Sequence, residues 1–174
     1  MKSDERKISL EGTSAEIAGN LVRIKGPKGT NERRFKEKSI SISSNGKEIS
    51  VKAADEKRKC KRIMCSVAAH LKGMVKGAKE GYEYKMKICS SHFPMNVSVS
   101  GKEITVKNFL GEKSPRVCRI SGDVAIKMEK DVLTLSGIDK EEVGQAAANI
   151  EQKISIRNKD RRIFMDGIYI TSKG

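Results

Sequence analysis

The sequence predicts an α+β protein built from two tandem small domains, each an antiparallel β-sheet packed with one α-helix. Three observations predict it. One order of strand, hairpin and helix occurs twice in the 174 residues, with the second copy about 82 residues after the first. Within each copy, apolar residues alternate at period two and then recur at helical spacing. No apolar run approaches the roughly 20 residues of a membrane-spanning helix, so a helix covering the sheet is the natural place for each apolar face.

In the first copy, Leu21-Val-Arg-Ile-Lys25 alternates and leads into the turn Gly26-Pro-Lys-Gly29. Proline presets φ there and glycine supplies a positive φ. The turn has neither spacing of a glycine-rich phosphate loop. Ile40-Ser-Ile42 and Ile49-Ser-Val51 follow as a hairpin turned at Asn45-Gly46, a pair suited to a tight two-residue turn. Ile63, Val67, Leu71, Met74 and Ala78 then mark one face of a helix. The boundary falls near Glu80-Gly81, giving domains 1–80 and 81–174.

The second copy repeats the order. Glu103-Ile-Thr-Val-Lys107 leads into Asn108-Phe-Leu-Gly111, and Val124-Ala-Ile126 pairs with Val132-Leu-Thr-Leu135 across a turn near Lys130-Asp131. Val143, Ala146, Ala147, Ile150 and Ile154 mark the second helix, with Asp139 and Glu142 spaced as a capping box. From Arg157 the chain runs past the repeat. Ile163-Phe-Met165 and Ile168-Tyr-Ile170 read most simply as a last hairpin turned at Asp166-Gly167.

Composition bounds the function. There are 36 Lys and Arg against 22 Asp and Glu, a formal net charge of +14. A surplus of that size favours nucleic acid, an anionic membrane or an acidic partner. The first residues, MKSDERK, lack the apolar core of a signal peptide, so a reducing compartment is expected. Cys60, Cys65, Cys89 and Cys118 are then expected as free thiols. Aromatics are 4% with no tryptophan, which argues against a base-stacking platform and for reading phosphate, ribose and helix shape. Residues 1–80 carry net +10 and residues 81–174 net +4, but the positives of the second half bunch at Lys107–Arg119 and Arg157–Arg162.

Two constellations suggest chemistry and fail on geometry. Cys60, Cys65 and His70 have the spacing C-x4-C-x4-H. Five helical residues advance about 140° net, so the three do not share a face, and no fourth ligand follows at a zinc-like spacing. Cys89 and His92 are three apart across a strand end, a spacing that sets no base beside the thiol. No cofactor and no metal site is expected. Lys57, Arg58, Lys59, Lys61 and Arg62 crowd the start of the first helix, the unfavourable end for cations. Lys61, Lys72, Lys76 and Lys79 continue along the face opposite the apolar stripe.

The most informative stretch is NFLGEKSPR, Asn108 to Arg116. Phe109 and Leu110 are an apolar foot in a polar loop, and Lys113, Arg116 and Arg119 form a basic rim. That arrangement suits pressing on a polyanion. Lys107, Asn108, Lys113, Arg116 and Arg119 form one candidate RNA contact. Asn158, Lys159, Arg161, Arg162 and Lys173 form the other. Each would neutralise phosphate or bond ribose, with Gly111 and Gly167 allowing close backbone approach.

The strings VRIKGPKGTNERRF (22–35), MVKGAKEGYEYKM (74–86), His92-Phe-Pro-Met-Asn-Val97, NFLGEKSPRV (108–117) and NKDRRIFMDGIYI (158–170) occur in order along nearly the whole chain. Together they resemble the universal large-subunit ribosomal protein six family, called number nine in eukaryotic naming. The His92-Phe-Pro string favours its eukaryotic and archaeal type. The resemblance implies a duplicated α+β fold and binding to large-subunit ribosomal RNA in the cytosolic ribosome. It also implies that the second domain makes most of the RNA contact, near the sarcin–ricin loop and the stalk base, beside neighbouring ribosomal proteins. Two other readings stand beside it: a basic adaptor meeting an acidic protein partner, and a thiol enzyme using Cys89 or Cys118.

Overall fold

A computed structural model describes residues 5–10, 12–37, 39–55, 57–160 and 162–174. The chain divides into two units, residues 1–81 and 82–174.

The first unit holds β1 (Glu5–Ser9), β2 (Ser14–Ala18), β3 (Leu21–Gly26), β4 (Gly29–Arg34), β5 (Ile40–Ser44), β6 (Glu48–Ala53) and α1 (Arg58–Lys79). Its strands form two antiparallel sheets rather than one, ordered β1-β6-β5 and β2-β3-β4. Period-two alternation locates strands, but it carries no signal for which strands share a sheet. Val22 and Ile24 of β3, Ile49 and Val51 of β6, and Ile8 of β1 are buried. Met64, Val67, Ala68, Leu71, Met74, Val75 and Ala78 of α1 close over them. Ile63, the first residue of the expected stripe, is only half-buried.

The turn after β3 shows why glycine stands there. A Cβ on Gly26 would lie 2.4 Å from the Ala78 carbonyl oxygen. Lys28 N donates to that same carbonyl at 3.1 Å, so the turn seats on the last turn of α1. At the other end of α1, Lys57 makes no side-chain cap and the first turn has no acidic residue.

The second unit repeats the plan with β7 (Tyr82–Cys89), β8 (Asn96–Ser100), β9 (Glu103–Lys107), β10 (Arg116–Arg119), β11 (Val124–Glu129), β12 (Val132–Gly137) and α2 (Lys140–Lys153). One sheet runs β10-β9-β8. The other runs β11-β12-β7-β13, with β13 (Gly167–Lys173) as an added strand. Phe109, Met86, Ile104, Leu133, Leu135, Ile150 and Ile168 are among its fully buried side chains.

Two local expectations are corrected. Asp139 caps α2 by accepting from Glu141 N at 2.9 Å, but Glu142 does not complete a capping box. Its carboxylate accepts from Asp123 N at 2.9 Å and so ties α2 to the start of β11. The last hairpin does not form either. β13 pairs with β7 across 78 residues, from Gly167 opposite Cys89, and Ile163 and Met165 are exposed. The preceding segment turns instead on Asp160, whose carbonyl accepts from Ile163 N and Phe164 N.

Candidate nucleic-acid interface

The loop after β9 departs from ordinary backbone geometry. Asn108 (φ 59°), Leu110 (φ 51°) and Gly111 (φ 78°) all have positive φ, and leucine in that region is a strained choice. Side chains hold it. Phe109 is 1% exposed and packs in the core. Leu110 is half-buried against the same core. Asn108 Nδ2 donates to the Pro94 carbonyl at 3.0 Å. The result is a shaped loop that presents Lys107 and Lys113 to solvent.

Arg116 lies in this loop but faces inward. Its Nε and Nη2 donate to the two Glu112 carboxylate oxygens at 2.8 and 2.6 Å. Its Nη1 donates to the Lys153 and Ser155 carbonyls at 3.0 and 3.1 Å. The guanidinium lies 4.2 Å from the Phe109 ring centroid. Four of its five N–H donors are thereby engaged within the protein. The Arg116 pairing holds the Glu112 carboxyl below its ordinary range. Arg116 therefore braces the loop against the end of α2, and the free positive charge of the loop sits on the lysines.

A second fixed point lies beside it. Asp166, 1% exposed, accepts from Ser91 N at 2.6 Å and from His92 N at 3.0 Å. His92 Nδ1 lies 2.8 Å from its other oxygen. Burial opposes the Asp166 charge, but the bonds from His92 and Ser91 together outweigh it and hold the carboxyl below its ordinary range. The His92 ring stacks on Phe164 at 4.5 Å, and Lys159 Nζ lies 4.5 Å from the centre of that same ring. The exposed Phe93 approaches Gly111, where an added Cβ would lie 3.9 Å from its ring. Residues 91–95 thus join the 108–116 loop to the 157–166 segment.

The linked segments carry Lys107, Asn108 and Lys113 on one side and Asn158, Lys159 and Arg162 on the other, all exposed. Arg162 is exposed but held by Asp160, with Nη2 donating at 2.8 Å and backbone N at 2.9 Å. That bond keeps the Asp160 carboxyl low. Asn158 is exposed with φ 59°. Arg161 lies outside the described residues. Two expected members lie elsewhere. Arg119 pairs opposite Glu103, about 13 Å along β9 from Lys107 at 3.3 Å per residue. Lys173 pairs opposite Tyr84, about 20 Å along β13 from Gly167 by the same rise. Sequence reading missed the clamp residues Glu112, Ser91, His92 and Asp166. Glu112, His92 and Asp166 lie inside the family-like strings, but the pairing of His92 with Asp166 spans 74 residues.

The thiol pattern has no such organisation. Cys118 is buried and its thiol is pushed up by desolvation, against a smaller pull from the Lys153 charge. Cys60 is buried and Cys65 exposed, as the helical spacing requires, although a free cysteine is ordinarily a small buried hydrophobe. No group of three metal-ligating side chains occurs among the described residues. No helix among them is long and apolar enough to cross a membrane.

Comparison with known proteins shows the family of the chain. The model of the family "Ribosomal protein L6" matches residues 11–81 and 93–167, one stretch in each unit. The chain belongs to this family. The large ribosomal subunit protein uL6 of Methanosarcina mazei is 45% identical over 174 residues, covering 99% of both chains. That of Methanocella arvoryzae is 42% identical, covering 97% of this chain and 96% of its own. That of Ignicoccus hospitalis is 43% identical, covering 94% and 90%. This L6-family chain is of the archaeal type, and it is a structural ribosomal protein rather than an enzyme.

Proposed function

We propose that this protein is built into the cytosolic large ribosomal subunit by binding its ribosomal RNA through the 91–95, 108–116 and 157–166 surface. The observation that carries the reading is the braced loop. Phe109, Asn108 and Arg116 hold a strained turn in one shape, so Lys107 and Lys113 rise from a fixed backbone. Positioned donors are what a phosphate or ribose contact requires. The curated relatives are named as large-subunit proteins. Within the subunit, the location we propose is beside the sarcin–ricin loop and the stalk base, following the family resemblance.

The test is filter binding to large-subunit RNA over a range of salt. With about six phosphate contacts, log K should fall against log[salt] with a slope of roughly −4 to −5. A flat dependence would overturn the reading. Chemical footprinting on the same complexes would show whether protection falls at the proposed location.

A further inference from the structure

The duplication supplies an internal comparison. In the second repeat β13 covers the outer edge of β7 and also packs against α2. In the first repeat the corresponding sheet ends at β1, and among the described residues no strand covers its outer edge. The ladder shows which groups that edge presents. Leu10 N donates to the Lys47 carbonyl at 3.0 Å, continuing the register that pairs Ile8 with Ile49 and Arg6 with Val51. Antiparallel pairs alternate, so Glu5, Lys7 and Ser9 turn their backbone N–H and C=O away from β6. The second repeat has the same parity. Ile88 N bonds the Asp131 carbonyl toward β12, and Lys87 and Cys89 stand opposite Tyr169 and Gly167 of β13.

Among the described residues, nothing fills in the first repeat the space that β13 fills in the second. Two cavities, of about 540 and 370 Å³, lie between the β1 edge and α1. Lys7 and Lys72 line both, with Cys65 and Ala68 in the first and Ile8 and Val75 in the second. An exposed strand edge invites pairing, and charged residues on it select against the wrong partner. Across the two grooves Arg6, Lys7, Lys72, Lys76 and Lys79 outnumber Glu5 and Glu80, a balance that favours carboxylates over a second copy of the net-positive β1, ERKIS. RNA would satisfy the charges, but it would leave the row of backbone donors and acceptors and the apolar floor without use.

We propose that the outer edge of β1, with its groove against α1, receives an extended segment of a neighbouring protein as an added antiparallel strand in which acidic and apolar residues alternate. This inference concerns the first repeat and stands apart from the RNA surface of the second, so either fails without the other.

The experiment is a titration of the full ¹⁵N-labelled chain with a synthetic nine-residue peptide alternating Glu with Val and Thr. A control peptide carries Pro at every second position. Expected are saturable shifts at the Glu5, Lys7 and Ser9 amides and slowed exchange at Lys7 and Ser9. Ser9→Pro removes one outward N–H while leaving the ladder to β6 intact, and should weaken binding at least tenfold. Lys72→Glu, on an exposed helix position, should do the same through charge, and it decides the matter if Ser9→Pro does not fold. Four results would each overturn the proposal: no shift at millimolar peptide, an equal response to the proline control, an equal response of these amides to a duplex RNA oligonucleotide, or shifts that grow with protein concentration alone.

Discussion

At the scale of single residues, the candidate interface is organised by two groups whose hydrogen bonds are made within the protein, Asp166 and Arg116. Asp166 is the acceptor for Ser91 and His92. Replacing it with alanine strands two backbone N–H groups, a loss of about 1–3 kcal/mol. Its pKa is lower folded than unfolded, so its contribution is complete above the ordinary carboxylate value near 3.9 and fades as pH falls through the lower folded value. The difference in urea-unfolding free energy between native protein and Asp166→Ala should therefore be full at pH 7 and shrink under strong acid. A constant difference would mean the carboxylate charge is not what Ser91 and His92 recognise. Arg116 and Lys113 are separated by a different measurement. Lys113→Ala removes one free cation and should flatten the salt slope of RNA binding by about 0.7–0.9. Arg116→Ala removes a brace, so it should lower affinity and thermal stability together and leave the slope nearly unchanged.

At the scale of elements, packing explains both what the sequence reveals and what it conceals. The helical stripe of α1 is legible because burial imposes a period, and Val67, Leu71, Met74 and Ala78 are buried as spaced. Leu71 is 0% exposed, so Leu71→Ala should cost about 2–5 kcal/mol in a denaturant melt. The turn at Pro27-Lys28 is legible as a turn, but its seat on α1 is not. That contact depends on Ala78, 52 residues away. Gly26→Ala should cost about 1–3 kcal/mol through overpacking against the Ala78 carbonyl. A melt unchanged from the parent would show that the turn can lift off the helix. β13 marks the limit of local reading. Asp166-Gly167 carries a hairpin signal in sequence, yet Asp166 is withdrawn into bonds with residues 91 and 92, and the strand after it finds β7 instead. The candidate site divides in the same way. Its cations are visible in two clusters and the apolar foot Phe109 in one of them, whereas Glu112 and Asp166 act through geometry that spacing does not encode.

At the scale of the whole molecule, summed charge and positioned charge point to different repeats. The first repeat carries net +10 and the second net +4. Summed charge sets long-range attraction and association rate, while a fitted contact requires donors already held in place. Lys59, Lys61, Lys72 and Lys76 are exposed along α1, and ordering a long side chain on contact costs rotamer entropy. Lys107 and Lys113 instead rise from a loop fixed by Phe109 and Arg116, and Lys159 rests over the Phe164 ring. Arg162, already turned toward Asp160, has less orientation left to lose. Two quadruple variants remove equal formal charge: Lys107, Lys113, Lys159 and Arg162 to alanine, or the four α1 lysines to alanine. On large-subunit RNA at one fixed salt concentration, the first should raise Kd more than the second, chiefly through faster dissociation. The second should act mainly on the association rate, because it alters the field and leaves the contact intact. Equal losses in both rates would reduce recognition to bulk charge. A larger loss of residence time from the α1 variant would move the contact to the first repeat, onto the same face that borders the open edge of β1.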